Sequence, residues 1–328
     1  MMRMLLSRRD GVVNREIDPA HCGSLLADSN NLVWVDIDRP TAEDIEVLRR
    51  EFGFHELAIE DAIKHSQRPK IDRYDGYYLM VLYAITFNEG ALRVDEHELD
   101  IFVGKNYLVT SHEGPVTELD DVAHRWERNA EALDSSVGVL LYSVIDTIVD
   151  CYLPILDRIS ELIEEVEEGI FGEYDPNAQA RIFALRKELL HLRRVLGPER
   201  DVVLQLTRRE LPVLEANTTA YFQDVYDHVV RATDSVDLYR ELLNSALDSY
   251  LSVSSNNLNA IFRTLTSVSI ILMTLSLIAG IYGMNFNTEV SRLNMPELNT
   301  RFGYPATLLV MALIAGSLVI YFRRRRWL

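Results

Sequence analysis

The stretch TLTSVSIILMTLSLIAGIYGMNFNT, Thr264 to Thr288, decides how this chain is read. It holds about 25 residues without a charge, between Arg263 and Glu289. At 1.5 Å rise per residue, about 20 apolar residues cross the hydrocarbon core of a bilayer. The stretch is long enough to span with some tilt. A second charge-free run follows from Phe302 to Phe322, and Arg323, Arg324, Arg325 and Arg326 close it. Two spans therefore come last, after a long and largely hydrophilic body.

No secretory leader is expected. Met1 to Leu6 is apolar but far too short for the core of a signal peptide, and Arg8, Arg9 and Asp10 follow at once. Basic residues favour the cytosolic side of a membrane. Arg263 precedes the first span and four arginines follow the second, whereas Glu289, Arg292, Glu297 and Arg301 cancel in the loop between. Both termini are expected in the cytosol, in a multi-pass protein of the cell membrane. The chain has only two cysteines, Cys22 and Cys151, which fits a reducing compartment without a disulfide framework. The net charge of -17 argues against a nucleic-acid partner. It leaves two readings, simple solubility or attraction of cations.

Leu32 to Ile37 reads as a strand. Thr41 is placed to cap a helix running to about Glu51, with Asp44 completing a capping box. Tyr77 to Phe87, Glu98 to Val103 and Tyr107 to Thr110 read as strands, the last two hinged at Gly104-Lys105-Asn106. Residues 1–134 thus read as an α/β cytosolic domain. Residues 135–218 read as a helical hairpin region. There Ser136 to Ile170 is expected as one helix and Asn177 to Leu196 as a second, with Gly197-Pro198 ending or kinking it and Glu199 to Leu211 continuing helical until Pro212. Its acidic run, Glu161, Glu164, Glu165, Glu167 and Glu168, is either a solvated face or a cation-attracting rim.

From about Thr219 to Tyr282 there is no proline, and glycine appears only at Gly280. A helix over this range cannot be stable alone and must pack against neighbours or copies of itself. Its apolar ladder includes Val229, Val236, Leu243, Leu247, Leu251, Leu258 and Leu265. A second stripe advances by four and three residues in turn: Asp248, Ser252, Ser255, Asn259, Phe262, Thr266, Ser269, Met273, Ser276 and Gly280. That 3.5-residue period is the repeat of a supercoiled bundle. Nearly every member is small or polar, and the period does not change on entering the apolar span. Small residues on a spanning helix can simply let helices pack closely. Asp248 and Asn259 on the same face would be costly in a dry seam. Two spans cannot enclose a path, so the stripe suggests a symmetric oligomer with a polar axial channel.

Tyr282-Gly283-Met284-Asn285, at the outer end of the first of two C-terminal spans, resembles the signature of the CorA family of divalent-cation channels. Met295-Pro296-Glu297-Leu298 and Gly303-Tyr304-Pro305 resemble that family's outer loop and the start of its second span. The terminal arginines followed by Trp327-Leu328 fit as well. Tyr221 to His228 resembles the start of its stalk helix. Leu57 to Asp61, followed by Gln67-Arg68-Pro69-Lys70, resembles its N-terminal domain. The loop from Asn287 to Asn294 is longer than the shortest in the family.

The resemblance implies a fold class: an α+β cytosolic domain, a long stalk helix and two C-terminal transmembrane helices, in a funnel-shaped homopentamer. Residues 219–284 would be the stalk continuing into the first span, 285–302 the external loop, 303–322 the second span and 323–328 a basic tail. The partners implied are four further copies of the chain, the lipid bilayer and divalent cations. The cargo would be Mg²⁺, with Co²⁺ or Ni²⁺ as secondary ions, and no organic cofactor is expected. Pore-lining residues would be Asp248, Asn259, Phe262, Leu265, Met273, Ser276 and Gly280, with Phe262 standing where a relative has methionine. Gly283, Met284 and Asn285 would form the selectivity filter. Arg263 and Arg323 to Arg326 would make a basic collar at the inner mouth.

Residue chemistry supports the assignment of Asn285. Mg²⁺ gives up its waters reluctantly. A ring of neutral carboxamide oxygens can hydrogen-bond the hydrated ion, whereas a carboxylate ring would hold it too tightly to conduct. Gly283 would permit the turn that ends the span. Outside this context, Asn285 reads equally as a helix C-cap. The resemblance also implies a regulatory Mg²⁺ site at subunit interfaces, with Asp61 and Asp224 as its main pair and Glu60 and Asp146 nearby. Bound metal would hold the pore shut.

Other classes are less well supported. The chain has no Gly-x-x-x-x-Gly-Lys-Ser/Thr, Gly-x-Gly-x-x-Gly or His-Glu-x-x-His motif, so a membrane-tethered enzyme is not expected. A two-span sensor would need no polar stripe. The remaining alternative is a zinc exporter of the same superfamily, although Zn²⁺ prefers Cys and His ligands and the stripe has neither.

Overall fold

The computed structural model describes residues 2–8, 13–14, 22–64, 67–128, 136–172, 175, 177–208, 214, 218–287, 291 and 293–328. Two compact units divide the chain, Met1–Leu247 and Asp248–Leu328.

The first unit is built on a seven-stranded sheet. In chain order the strands are β1 (Met2–Arg8), β2 (Val13–Asn14), β3 (Asn31–Asp38), β4 (Lys70–Arg73), β5 (Tyr78–Asn88), β6 (Arg93–Val103) and β7 (Tyr107–His112). Their spatial order is β2-β1-β3-β7-β6-β5-β4. All neighbours are antiparallel except β3 and β7, where Val33 lies opposite Tyr107. The short helices α1 (Cys22–Leu26), α2 (Ala42–Glu51) and α3 (Glu56–Lys64) lie between the early strands. They bury Cys22, Leu48, Phe54, Ala58, Ile59 and Ala62 against Val33, Val35, Ile37, Leu79, Phe102 and Val109. Phe54 stacks on Phe102 with ring centroids 4.3 Å apart.

Four more helices follow the sheet: α4 (Thr117–Arg128), α5 (Val137–Asp150), α6 (Tyr152–Phe171) and α7 (Ala178–Thr207). α5 packs on β5 and β7, α6 on β5, and α7 on β4, β5 and β6. β5 is therefore buried on both faces from Tyr78 to Ile85. That explains its near-continuous apolar run where a half-solvated strand would alternate. Thr41 caps α2 with the expected reciprocal bonds to Asp44.

The helical region departs from the sequence expectation once and decides one alternative it left open. Ser136 to Ile170 is two helices, broken at Cys151. Pro154 accounts for the break, because its ring clashes with the carbonyl four residues back, at Asp150. Conversely, Gly197-Pro198 does not end a helix, since α7 runs through Pro198 to Thr207. Val195, Leu196, Val202 and Val203 are buried on either side of it. Their packing offsets the roughly 3 kcal/mol that an internal proline costs. The boundary near 134–135 and residues 173, 174, 176, 288–290 and 292 lie outside the described residues.

The acidic run on α6 is partly paired. Arg158 reaches Glu89, Glu161 and Glu165, and Arg181 reaches Glu165.

Helix α8 (Thr219–Tyr282) is one unbroken element of 64 residues. The second unit holds its later part, a 3₁₀ turn at Pro296–Asn299 and α9 (Gly303–Arg324). By length and composition α8, α9 and the segment Val137–Phe171 could each cross a membrane. Half of the most apolar window in Val137–Phe171 is buried within the fold, against 6% for α8 and α9. The first of these is core. The other two present apolar surface that the described residues leave almost wholly uncovered.

Candidate functional site

The apolar ladder of α8 divides. Val229, Val236 and Leu243 are fully buried in the first unit, whereas Leu251, Leu258 and Leu265 are each more than half exposed. The small and polar stripe from Asp248 to Gly280 is exposed at every member. On a straight helix a 3.5-residue repeat drifts only about 20° per heptad, so the stripe stays within about a quarter turn from Asp248 to Ser276. Of its large apolar members, Met273 in the span is 71% exposed and Phe262 before it 61%. A face this open on a helix this long is left for lipid or other chains to cover.

The end of α8 corrects one expectation. Gly283 is not among the residues with positive φ. Its N–H still donates to the Ala279 carbonyl at 2.9 Å, and the chain leaves the helix through a tighter bond from Met284 N–H to the Ile281 carbonyl at 3.2 Å. A Cβ on Gly283 would sit 3.3 Å from the Ala279 carbonyl oxygen. The glycine therefore serves close approach at the helix end, not a left-handed turn. Asn285 is exposed and also has ordinary φ, so it is not the left-handed helix terminator its residue type allows. Gly283, Met284 and Asn285 all lie open to solvent at this end.

The other end of the second unit is tied back. The left-handed backbone of Arg326 (φ 57°) turns the chain so that Trp327 N–H donates to the Phe322 carbonyl at 2.9 Å. The Trp327 ring stacks on Phe322. Thr264 Oγ1 donates to the Trp327 carbonyl at 3.2 Å, joining α9 to α8 beside Arg263. Arg263 and Arg323 to Arg326 are all exposed, and Arg323 and Arg324 lie in the last turn of α9, where the helix dipole favours cations.

The carboxylates expected to sense metal fall in two places. Asp61, on α3, holds Lys70 at 2.7 Å, and Lys70 also meets Asp72 at 2.8 Å. Glu60 pairs with Lys64. Asp146 on α5 and Asp224 on α8 are close enough for their charges to interact. Among the described residues, no contact joins Asp61 to Asp224 within one chain.

Asp146 has two further neighbours that the sequence reading did not include. Ligand atoms of Asp146, Asp150 and His228 lie within 4.8 Å of one another. Asp150 Oδ1 is 3.1 Å from His228 Nδ1. Burial, then the charge of Asp150, raises the Asp146 carboxyl above its ordinary value. Two oxygens and a nitrogen at this separation can meet one divalent ion at ordinary bond lengths of about 2.0–2.6 Å. The signal was helical spacing. Asp150 lies four residues beyond Asp146, and His228 four beyond Asp224, so each pair shares a helix face.

Comparison with known proteins joins these features. Residues 29–324 match the family described as CorA-like Mg2+ transporter protein. The chain belongs to that family. It is 37% identical over 294 residues to the putative metal ion transporter YfjQ of Bacillus subtilis, covering 90% of this chain and 89% of that one. It is 34% identical to the cobalt/magnesium transport protein CorA of Thermotoga maritima, covering 92% and 85%. The complete structure of the CorA magnesium transporter from Methanocaldococcus jannaschii superposes with a TM-score of 0.83 at 25% identity, covering 99% of this chain and 98% of that one. This CorA-family protein is thus a divalent-cation transporter of a membrane. It has the family's α/β body, long helix and C-terminal apolar helices.

Proposed function

We propose that this CorA-family protein is a passive Mg²⁺ uptake channel, assembled as a homopentamer with both termini in the cytosol. Five copies of α8 line the path with Asp248, Asn259, Phe262, Leu265, Met273, Ser276 and Gly280. Five Asn285 carboxamides at the outer mouth, framed by Gly283 and Met284, hydrogen-bond the hydrated ion without stripping it. Leu265, Met273 and Phe262 form apolar rings that gate by dewetting. The membrane potential drives entry with about 2.3 kcal/mol per charge per 100 mV. Arg263 and Arg323 to Arg326 rest at anionic headgroups. One observation carries this reading: a small, polar face lies uncovered along the whole charge-free span and leads to an exposed Asn285.

Asp61 of one copy and Asp224 of the next hold regulatory Mg²⁺, with Glu60 and Asp146 beside them and Asp150 and His228 completing the cluster on α5 and α8. Without the ion, facing carboxylates repel and loosen the interface. With it, the path closes. The pore face offers no Cys or His, so nothing there supports zinc export. The decisive experiment is potential-driven uptake into liposomes by wild type and Asn285→Ala. Wild type takes up Mg²⁺ in preference to Ca²⁺, and the variant loses that preference. An Asn285→Ala protein that conducts Mg²⁺ with unchanged selectivity removes the filter from Asn285.

A further inference from the structure

Asp61 is held from one short segment. Lys70 Nζ donates to its Oδ2 at 2.7 Å, and Gln67 Nε2 donates to its Oδ1 at 3.4 Å. What fixes that segment lies beneath it. Tyr83 on β5 and Glu98 on β6 stand directly opposite one another across the sheet. Both are buried, at 8% and 7% exposure. Tyr83 Oη is 2.8 Å from Glu98 Oε2 and also meets the Gln67 carbonyl, so its one proton is shared between them. The Gln67 N–H donates to the same Glu98 oxygen at 3.0 Å.

We propose that Tyr83 and Glu98, acting through Gln67, are the positioning residues of Asp61 and set the Mg²⁺ concentration at which the channel closes. The proposal rests on the reading of Asp61 as a regulatory ligand. Its physical basis is that a buried carboxylate is costly unless its oxygens are hydrogen-bonded, so the groups that bond it are held in place. Here those bonds pin both the N–H and the carbonyl of Gln67. That pinning fixes the direction from which the Gln67 side chain reaches Asp61. Lys70 continues the segment as the first residue of β4, opposite Val81. The Asp61 carboxylate thus takes its orientation from the sheet rather than from α3 alone. A ligand held in one direction loses less freedom when the ion arrives, and binding tightens accordingly.

The test uses the full-length protein in two assays. One is the internal Mg²⁺ concentration that halves uptake into liposomes. The other, independent of transport, is the Mg²⁺ concentration that half-protects the detergent-solubilised protein from trypsin. Loss of one ordinary hydrogen bond corresponds to roughly a three- to ten-fold change. Tyr83→Phe and Glu98→Ala are therefore expected to raise both midpoints by that factor, with maximal uptake and thermal midpoint near wild type. Glu98→Gln keeps an oxygen acceptor for Gln67 and Tyr83 and is expected to restore midpoints close to wild type. Unshifted midpoints in Tyr83→Phe, beside an Asp61→Ala protein that is shifted, overturn the positioning role and leave the sensor standing. An unshifted Asp61→Ala protein overturns the sensor reading and the positioning role together. Equal midpoints in Glu98→Gln and Glu98→Ala, both shifted, assign the effect to charge and also overturn the proposal. If Tyr83→Phe does not fold, Gln67→Ala at its half-buried position carries the same expectation and the same refutation.

Discussion

Neutralising Glu199 should abolish a specific part of this protein's pH dependence. Glu199 sits on α7 at 1% exposure, and burial pushes its carboxyl up to about 8. The geometry explains why a proton is welcome. Oε1 accepts the Tyr83 N–H at 2.7 Å, and Oε2 lies 2.9 Å from Tyr152 Oη, which also contacts the Tyr83 carbonyl. Tyr152 has one proton for two oxygens. If Glu199 is neutral, Oε2–H donates to Tyr152, Tyr152 donates to the Tyr83 carbonyl, and the ring of bonds closes. If Glu199 is charged, one oxygen–oxygen contact has no proton in it. Glu96 adds a repelling charge. Because the folded value lies above the unfolded one, this stability is fully present below about 4.5 and is lost as pH rises through about 8. Between pH 6 and pH 9 the loss is close to two pH units, about 2.7 kcal/mol. For a chain of this size that is about 4 °C of melting temperature. Glu199→Gln presents an N–H where the acid presents O–H and should lack this slope. The assay is thermal unfolding of wild type and variant in detergent at pH 6 and pH 9, read as the difference between their shifts. Parallel shifts in the two proteins would refute a protonated Glu199.

Other outcomes follow from the first unit. Thr41→Ala removes the Oγ1 half of the α2 capping box, leaves the residue 41 N–H on Asp44, and should cost about 1 kcal/mol, seen as a lower thermal midpoint. Phe54→Ala empties the stack on Phe102 and should cost about 3–5 kcal/mol by denaturant unfolding. Burial opposes charge on His112, but Asp36, 3.4 Å away, raises the imidazole above its ordinary value. That pairing stabilises below about 6.5 and fades as pH climbs through the raised value, so Asp36→Asn should lower the His112 titration midpoint measured by NMR. Burial, followed by Glu118, pushes the Cys151 thiol up to about 11. Iodoacetamide should label it slowly at pH 8 and about ten-fold faster per pH unit below 11.

The parts of this fold legible in the sequence were those set by local chemistry. A charge-free run, a Thr–Asp capping pair and a glycine-hinged hairpin each carry their cause within a few residues. What escaped depends on distant partners. β1 is an apolar segment whose role appears only when Met4 lies opposite Val35. Pro154 and Pro198 carry the same local signal yet act oppositely, although buried residues flank both. In the candidate site, the α8 stripe could be read from spacing and Asn285 from the resemblance of its motif. Asp150 and His228 join Asp146 only through the packing of α5 against α8, and the contacts of Asp61 with Gln67 and Lys70 need β4 in place.

The one parallel pairing of the sheet has a consequence for synthesis. β5, β6 and β7 are joined by tight connections and can pair as soon as they are made. β3 cannot, because its inner partner is β7, from which α2, α3, β4, β5 and β6 separate it. Leu32 to Ile37 must leave the ribosome and wait beside β1, and a two-stranded ribbon is marginal in water. At 5–20 residues per second, Val33 waits about 4 to 15 s for Tyr107. In that interval the nascent chain shows its most apolar N-terminal edge, so chaperone capture and misassembly should concentrate there and end once β7 emerges.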